Sequence, residues 1–369
     1  MQTTRLSTGA KWIALGLVVA VLVALLLAAA EGVVRARQWS RHGTASSFDS
    51  LYRVDPSIGL RVLVPGAKVG RISINSLGFR GPEIESAKPL GRIRVAFLGA
   101  STTFCAEVSS NDAVWPQIAI QRLRERFPGA DFDFVNGAVP GYTVESSLKN
   151  LRHRIAPLRP DLVVVYHATN DLSVEARQLA EKQGLAAPRS RHEPGWLARN
   201  SRLWELVEKN LSVMAAKQGA ESSAGRVVLD EATLGSDFRR RLSELVDEAG
   251  QDGRRVAVAT FSARLRAEQS PEEKKQAAVS ALVYMPHMSL DGLITGYARY
   301  NDAIRAVARE KGALLIGGEH TIPGDGVHFS DSVHFTDTGA RLMAARVADA
   351  LAADPALAEL VAKRKAERG

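Results

Sequence analysis

From Arg92 onward the chain alternates between two kinds of segment, and no other feature constrains its fold as strongly. Short, continuously apolar runs (RIRVAFL from Arg92, FDFVN from Phe132, DLVVVYHA from Asp161) are separated by stretches with helical spacing, AVWPQIAIQRLRERF and VESSLKNLRHRIA. A strand that is apolar on both faces must be buried on both faces, and helices between successive strands require crossover connections. The pattern therefore predicts an α/β domain: three layers, α/β/α, around a parallel sheet. RRVAVATF and ALLIG supply later strands, with the helix SLDGLITGYARYNDAIRAVAREKG before the last of them and a final helix from about Thr338 to Ala352.

At 369 residues and 46% hydrophobic, the chain is long enough to bury one large core. Its net charge of +8 comes with no basic motif interleaved with aromatics, so no nucleic-acid partner is expected. Much of the excess lies outside the apolar strands, in Arg35, Arg37 and Arg41 and in a C-terminal tail with Lys363, Arg364, Lys365 and Arg368. Such cations beside an apolar segment suit anionic lipid headgroups. Cys105 is the single cysteine, which excludes an internal disulfide and a cysteine-based zinc site.

Trp12 to Ala30 form an unbroken apolar run of nineteen residues. As a helix it spans about 28 Å, the thickness of a bilayer core. Residues 1–11 then form a short basic tail and 12–30 a single membrane anchor, with Ala28, Ala29 and Ala30 leaving signal-peptide cleavage as the alternative. Arg5 and Lys11 favour an inside N-terminus and Arg35 and Arg37 oppose it; a long domain after a short tail suits export of the C-terminal side. Residues 31–91 read as a tether with short accessory strands, 92–353 as the main domain and 354–369 as a basic tail. The interval of about 172–253 is too long for one crossover and predicts a helical insertion. Within it Leu203, Val207 and Leu211 share one helical face near Trp196 and Trp204, which suits packing on the domain or a lid over its site.

Four short blocks carry chemistry. Ser101, in FLGASTTF, follows the first apolar strand, where an α/β sheet can display a nucleophile, and Gly99 lets the chain turn off that strand. NGAVPGYT contains Gly137 and Gly141, which either shape a loop or leave a backbone donor with no Cβ in the way, and YHATNDL contains Asn170, which could also cap the next helix. DSVHFTDTG places Asp331 three residues before His334, so that a single turn brings carboxylate and imidazole to one side. DGVH, with Asp325 and His328, has the same spacing six residues earlier; Asp331 and His334 are preferred because HFTDTG and an apolar helix follow them at once. Asp171 reads as a structural cap. His320, His328 and His334 with Asp325 and Asp331 lack the helical His-Glu-x-x-His pattern, so no metal is expected. No glycine-rich phosphate loop follows any strand.

These blocks, in this order, resemble the SGNH hydrolase superfamily, the GDSL-type esterases and lipases, over residues of about 92 to 350. NSLGFRGPE, ahead of the first strand, resembles anchored bacterial members. The resemblance implies a flavodoxin-like sheet, Ser101 as nucleophile, His334 and Asp331 as its base and orienting acid, and an oxyanion hole from the N–H groups of Ser101 and Gly141 with the Asn170 amide. It implies no cofactor. Ala100 stands where many members have aspartate and Ala168 where the third block has glycine; the latter matters if φ there is positive. The expected activity is hydrolysis of an acyl ester, carried on a glycan or a lipid, through an acyl-enzyme. Transfer of the acyl group to a cell-envelope glycan, or silent glycan binding, are the alternatives. Oligomeric state is not encoded in these features.

Overall fold

The computed structural model describes residues 8–42, 48–186, 201, 203, 204, 206–208, 210, 211, 214 and 225–368. They fall into two compact units. The first holds helix α1 (Thr8–His42) and the residues described between 201 and 211. Trp12–Arg37 within α1 are long and apolar enough to cross a membrane, and their large side chains are exposed. Glu31, at the end of the uncharged run, accepts from Arg35 Nε at 2.7 Å, Ser201 Oγ at 3.0 Å and Leu203 N at 2.8 Å. The stripe of Leu203, Val207 and Leu211 thus belongs to the unit of α1. Trp196 lies outside the described residues.

The second unit is built on a five-stranded sheet. Its strands are β5 (Arg92–Gly99), β6 (Asp131–Asn136), β7 (Leu162–Tyr166), β8 (Arg255–Ala259) and β9 (Leu314–Ile316). They lie in the order β6-β5-β7-β8-β9, and every pairing is parallel. Burial of nearly every side chain on β5 and β7 explains the continuous apolar runs. The helices are α3 (Trp115–Arg126), α4 (Val144–Asn150), α5 (Thr169–Lys182), α6 (Ser236–Ala249), α7 (Pro271–Tyr284), α8 (Leu290–Lys311), α9 (Asp337–Ala352) and α10 (Pro355–Ala366), with a one-turn α2 at Ser101–Phe104. α3 packs on α9, and α6 packs on α4 and α8, covering the sheet on both sides. Strand order reverses at β5, so the crevice beyond the carboxyl ends of β5, β6 and β7 is the topological switch point, where sheets of this kind bind ligands. Register fixes the rim: Gly99 pairs with Tyr166 and Phe97 with Asn136.

Two hairpins precede the sheet, β1 (Tyr52–Asp55) with β2 (Leu60–Leu63) and β3 (Lys68–Val69) with β4 (Ile72–Ser73). The NSLGFRGPE segment follows them and is a brace. Arg80 is fully buried; its Nη1 donates to Phe104 O at 2.7 Å and Cys105 O at 2.5 Å, and its Nε to Asn111 Oδ1 at 2.9 Å. A buried guanidinium is tolerable only when its donors are satisfied, and burial still pulls it down to about 10. Arg80 thereby fastens the loop that follows Ser101.

Three expectations change. α6 lies in the interval assigned to an insertion, yet it buries Phe238, Leu242 and Leu245 in the core of the sheet domain. The C-terminal residues form α10, which buries Leu357 and Val361. Two of their cations engage this domain rather than standing free for lipid: Arg364 pairs with Asp161 at 2.5 Å and Glu367 at 2.8 Å, and Lys365 donates to Pro128 O at 2.7 Å.

Candidate active site

β5 ends at Gly99, and the chain turns through Ala100 into α2. Gly99 is needed for space rather than for a left-handed φ, because a Cβ there would collide with the Thr103 side chain and meet Tyr166 O at 3.0 Å. Cys105, at φ 59°, ends the turn. Trp115 secures it from beneath: the indole is fully buried, lies edge-on to Phe97 at 5.1 Å and donates to Thr102 O at 3.1 Å. Packing of a buried tryptophan is worth about 3–5 kcal/mol, so the turn bearing Ser101 is held by core energy.

Ser101 meets the Asp331–His334 turn across 233 residues of sequence. His334 Nε2 lies 2.8 Å from Ser101 Oγ, and Nδ1 lies 2.7 Å from Asp331 Oδ2. Asp331 Oδ1 accepts the backbone N–H groups of Val333 and His334, each at 2.9 Å. The carboxylate therefore fixes the loop with one oxygen and the ring with the other. Burial alone would raise Asp331, but the His334 hydrogen bond and charge with those two N–H groups hold it below the usual carboxylate range. Burial would lower His334; the Asp331 hydrogen bond and the charges of Glu107 and Asp331 outweigh it and raise the imidazole above its ordinary value. With Nδ1–H directed at Asp331, Nε2 is the ring's remaining acceptor and faces the Ser101 hydroxyl.

Gly141 sits after β6 at φ +87°, a left-handed conformation that disfavours any side chain. Asn170 lies in the first turn of α5, beyond β7, and its Nδ2 donates to Tyr142 O at 2.9 Å, tying the second block to the third. Asp171 adds a second tie as a buried acceptor for Val144 N at 3.1 Å, and burial raises its carboxyl to about 7. Ala168 has φ −171°, extended backbone that any residue adopts, so alanine in place of glycine imposes no strain.

Ser101, Gly141, Asn170, Asp331 and His334 line one cavity of about 420 Å³. Other walls are not anticipated from the sequence. Tyr52 and Arg61 come from the β1–β2 hairpin, with the guanidinium 4.3 Å from the Tyr52 ring centroid and bonded to Pro140 O at 2.8 Å. Ser280, Ala281 and Tyr284 come from α7, whose start is written in a capping box formed by Ser270 and Glu273. Glu107 lines the same cavity. The Asp325–His328 pair forms its own hydrogen bond at 2.8 Å, but His328 bonds no serine hydroxyl among the described residues. Nor, among those residues, does any group of three or more His, Cys, Asp or Glu side chains gather as metal ligands. Cys105 is buried, and that burial pushes its thiol up to about 12, away from the reactive thiolate.

No curated protein matches the chain significantly. Among solved structures, the acetylxylan esterase Axe2 from Geobacillus stearothermophilus is 14% identical, with a TM-score of 0.40 over 72% of this chain and 94% of that one. A lipase/acylhydrolase from Enterococcus faecalis is 15% identical, with a TM-score of 0.42 over 70% of this chain and 95% of that one. The sequence profile of the GDSL-like Lipase/Acylhydrolase family matches residues 97–342, a span that takes in all four blocks. With more than half of its length in that match, the chain belongs to the GDSL-like lipase/acylhydrolase family and is a carboxylic ester hydrolase.

Proposed function

We propose that the protein cleaves acyl esters through a covalent acyl-enzyme on Ser101. The supporting observation is the continuous line of short contacts from Ser101 Oγ to His334 Nε2 at 2.8 Å and from His334 Nδ1 to Asp331 Oδ2 at 2.7 Å. Ser101 Oγ attacks the ester carbonyl carbon as its proton passes to Nε2. The oxyanion is received by the N–H groups of Ser101 and Gly141 and by the Asn170 amide, one such donor being worth about 3 kcal/mol in the barrier. The imidazolium then protonates the departing alcohol, water enters, and the same imidazole takes the water's proton as the acid is released. Asp331 keeps its carboxylate throughout and holds the ring.

α1 serves in this reading as a single-pass membrane anchor, with the hydrolase domain on the extracytoplasmic side acting on acylated envelope components. The length and apolar character of Trp12–Arg37 support the anchor.

A fluorophosphonate probe tests the chemistry. Wild-type protein is expected to be labelled at residue 101 and the Ser101→Ala chain to remain unlabelled and inactive toward p-nitrophenyl esters. Equal labelling of both chains would discard the acyl-enzyme.

A further inference from the structure

A second carboxylate reaches His334. Glu107 follows the left-handed turn at Cys105, and its Oε1 lies 4.0 Å from His334 Nδ1. Its Oε2 is buried and has no hydrogen-bond partner among the described residues. A buried carboxylate oxygen without a donor is costly, and the backbone around it is held in place from two sides. Arg80 grips the carbonyls of Phe104 and Cys105, and Ser109 N donates at 2.8 Å to Asp337 Oδ1, on the helix that begins just after His334. The segment bearing Glu107 and the turn bearing His334 are therefore fastened together.

We propose that Glu107 is a positioning residue of the ester hydrolase: its carboxylate acts through His334, favouring the imidazolium that forms when the Ser101 proton reaches Nε2. The step balances without Glu107 giving up or taking a proton. The Ser101 O–H bond breaks, the Nε2–H bond forms, and the serine oxygen bonds to the carbonyl carbon. Glu107 contributes charge only.

The groups around Glu107 set when that charge matters most. Burial raises its carboxyl and the Asp331 charge adds to this, while His334 and Arg80 act in the opposite direction. Tyr52 from β1 and the Cys105 thiol complete its titratable surroundings. A carboxylate that is disfavoured beside a neutral imidazole and favoured beside an imidazolium stabilises the transition state more than the ground state, which is the condition for accelerating the chemical step.

This inference rests on the acyl-enzyme reading, and its test separates the two. In the full chain, Glu107→Gln is expected to lower kcat for a p-nitrophenyl ester by about tenfold, equivalent to about 1.4 kcal/mol, with KM unchanged. The acidic limb of kcat/KM moves to lower pH, because the imidazolium loses a stabilising charge. Independently of activity, NMR titration of His334 in a Ser101→Ala chain is expected to give a lower midpoint once Glu107→Gln is added. Unchanged kcat and limb, a rise in KM alone, or an unmoved His334 midpoint would each overturn the proposal. If Ser101→Ala abolishes activity while Glu107→Gln changes nothing, this inference alone falls; if Ser101→Ala keeps its activity, the acyl-enzyme reading falls and carries this inference with it.

Discussion

Two neighbouring turns, DGVHF at Asp325 and DSVHF at Asp331, are nearly the same peptide and fold nearly the same way. In each, the aspartate accepts the N–H groups of the second and third residues beyond it and bonds the imidazole Nδ1, at 2.8 Å in the first turn and 2.7 Å in the second. The two histidine side chains are even equally exposed, at 16%. They part at Nε2, where His334 meets Ser101 and His328 meets no serine among the described residues. Local sequence thus writes an oriented imidazole twice, and the placement of one turn against the end of β5 decides which of them faces the Ser101 hydroxyl.

Mutations can break this comparison. The largest expected effect is that of His334→Ala, a loss of about 10⁴-fold or more in kcat/KM, whereas His328→Ala should stay within about twofold. Steady-state assays of both purified variants decide it, and comparable losses would erase the distinction. Next come the partner carboxylates. Asp331→Asn leaves the ring in place with the wrong tautomer favoured and should cost about 10²–10⁴-fold in kcat. Asp325→Asn should again cost no more than about twofold, with circular dichroism confirming that both variants fold. The smallest effect sharpens the electrostatic side. His334 is raised above the ordinary histidine value of about 6.5. Since the protonated ring cannot accept the serine proton, kcat/KM should climb with pH through a midpoint above that value. A midpoint at or below it would mean that the charges beside Nδ1 do not reach the ring.

The sheet was legible because its cause is local to each strand: burial on both faces demands an uninterrupted apolar run, and β5 and β7 have one. Ser101, Gly141, Asn170 and the Asp331 turn were legible as candidates because the four blocks occur in order, although each by itself is common, as the Asp325 turn shows. Glu107 and Arg61 were not, since nothing in their neighbourhoods distinguishes them from solvated charges until the fold brings His334 and Gly141 beside them. The partner of Arg364 in α10 is hidden for the same reason, as it finds Asp161 only through tertiary packing. The start of α7 is legible too, its Ser270 and Glu273 standing in the spacing that opens helices.

The Arg80 brace ties the segment ahead of the sheet to the loop that follows Ser101. A chain trimmed to Arg92 would keep every strand of the sheet and all five residues proposed for chemistry, yet the peptide carrying Ser101 would lose the guanidinium that stitches it down, and the cavity would lose its Tyr52 and Arg61 wall. The stretch between Phe48 and the sheet is therefore part of the architecture around the cavity rather than a spacer.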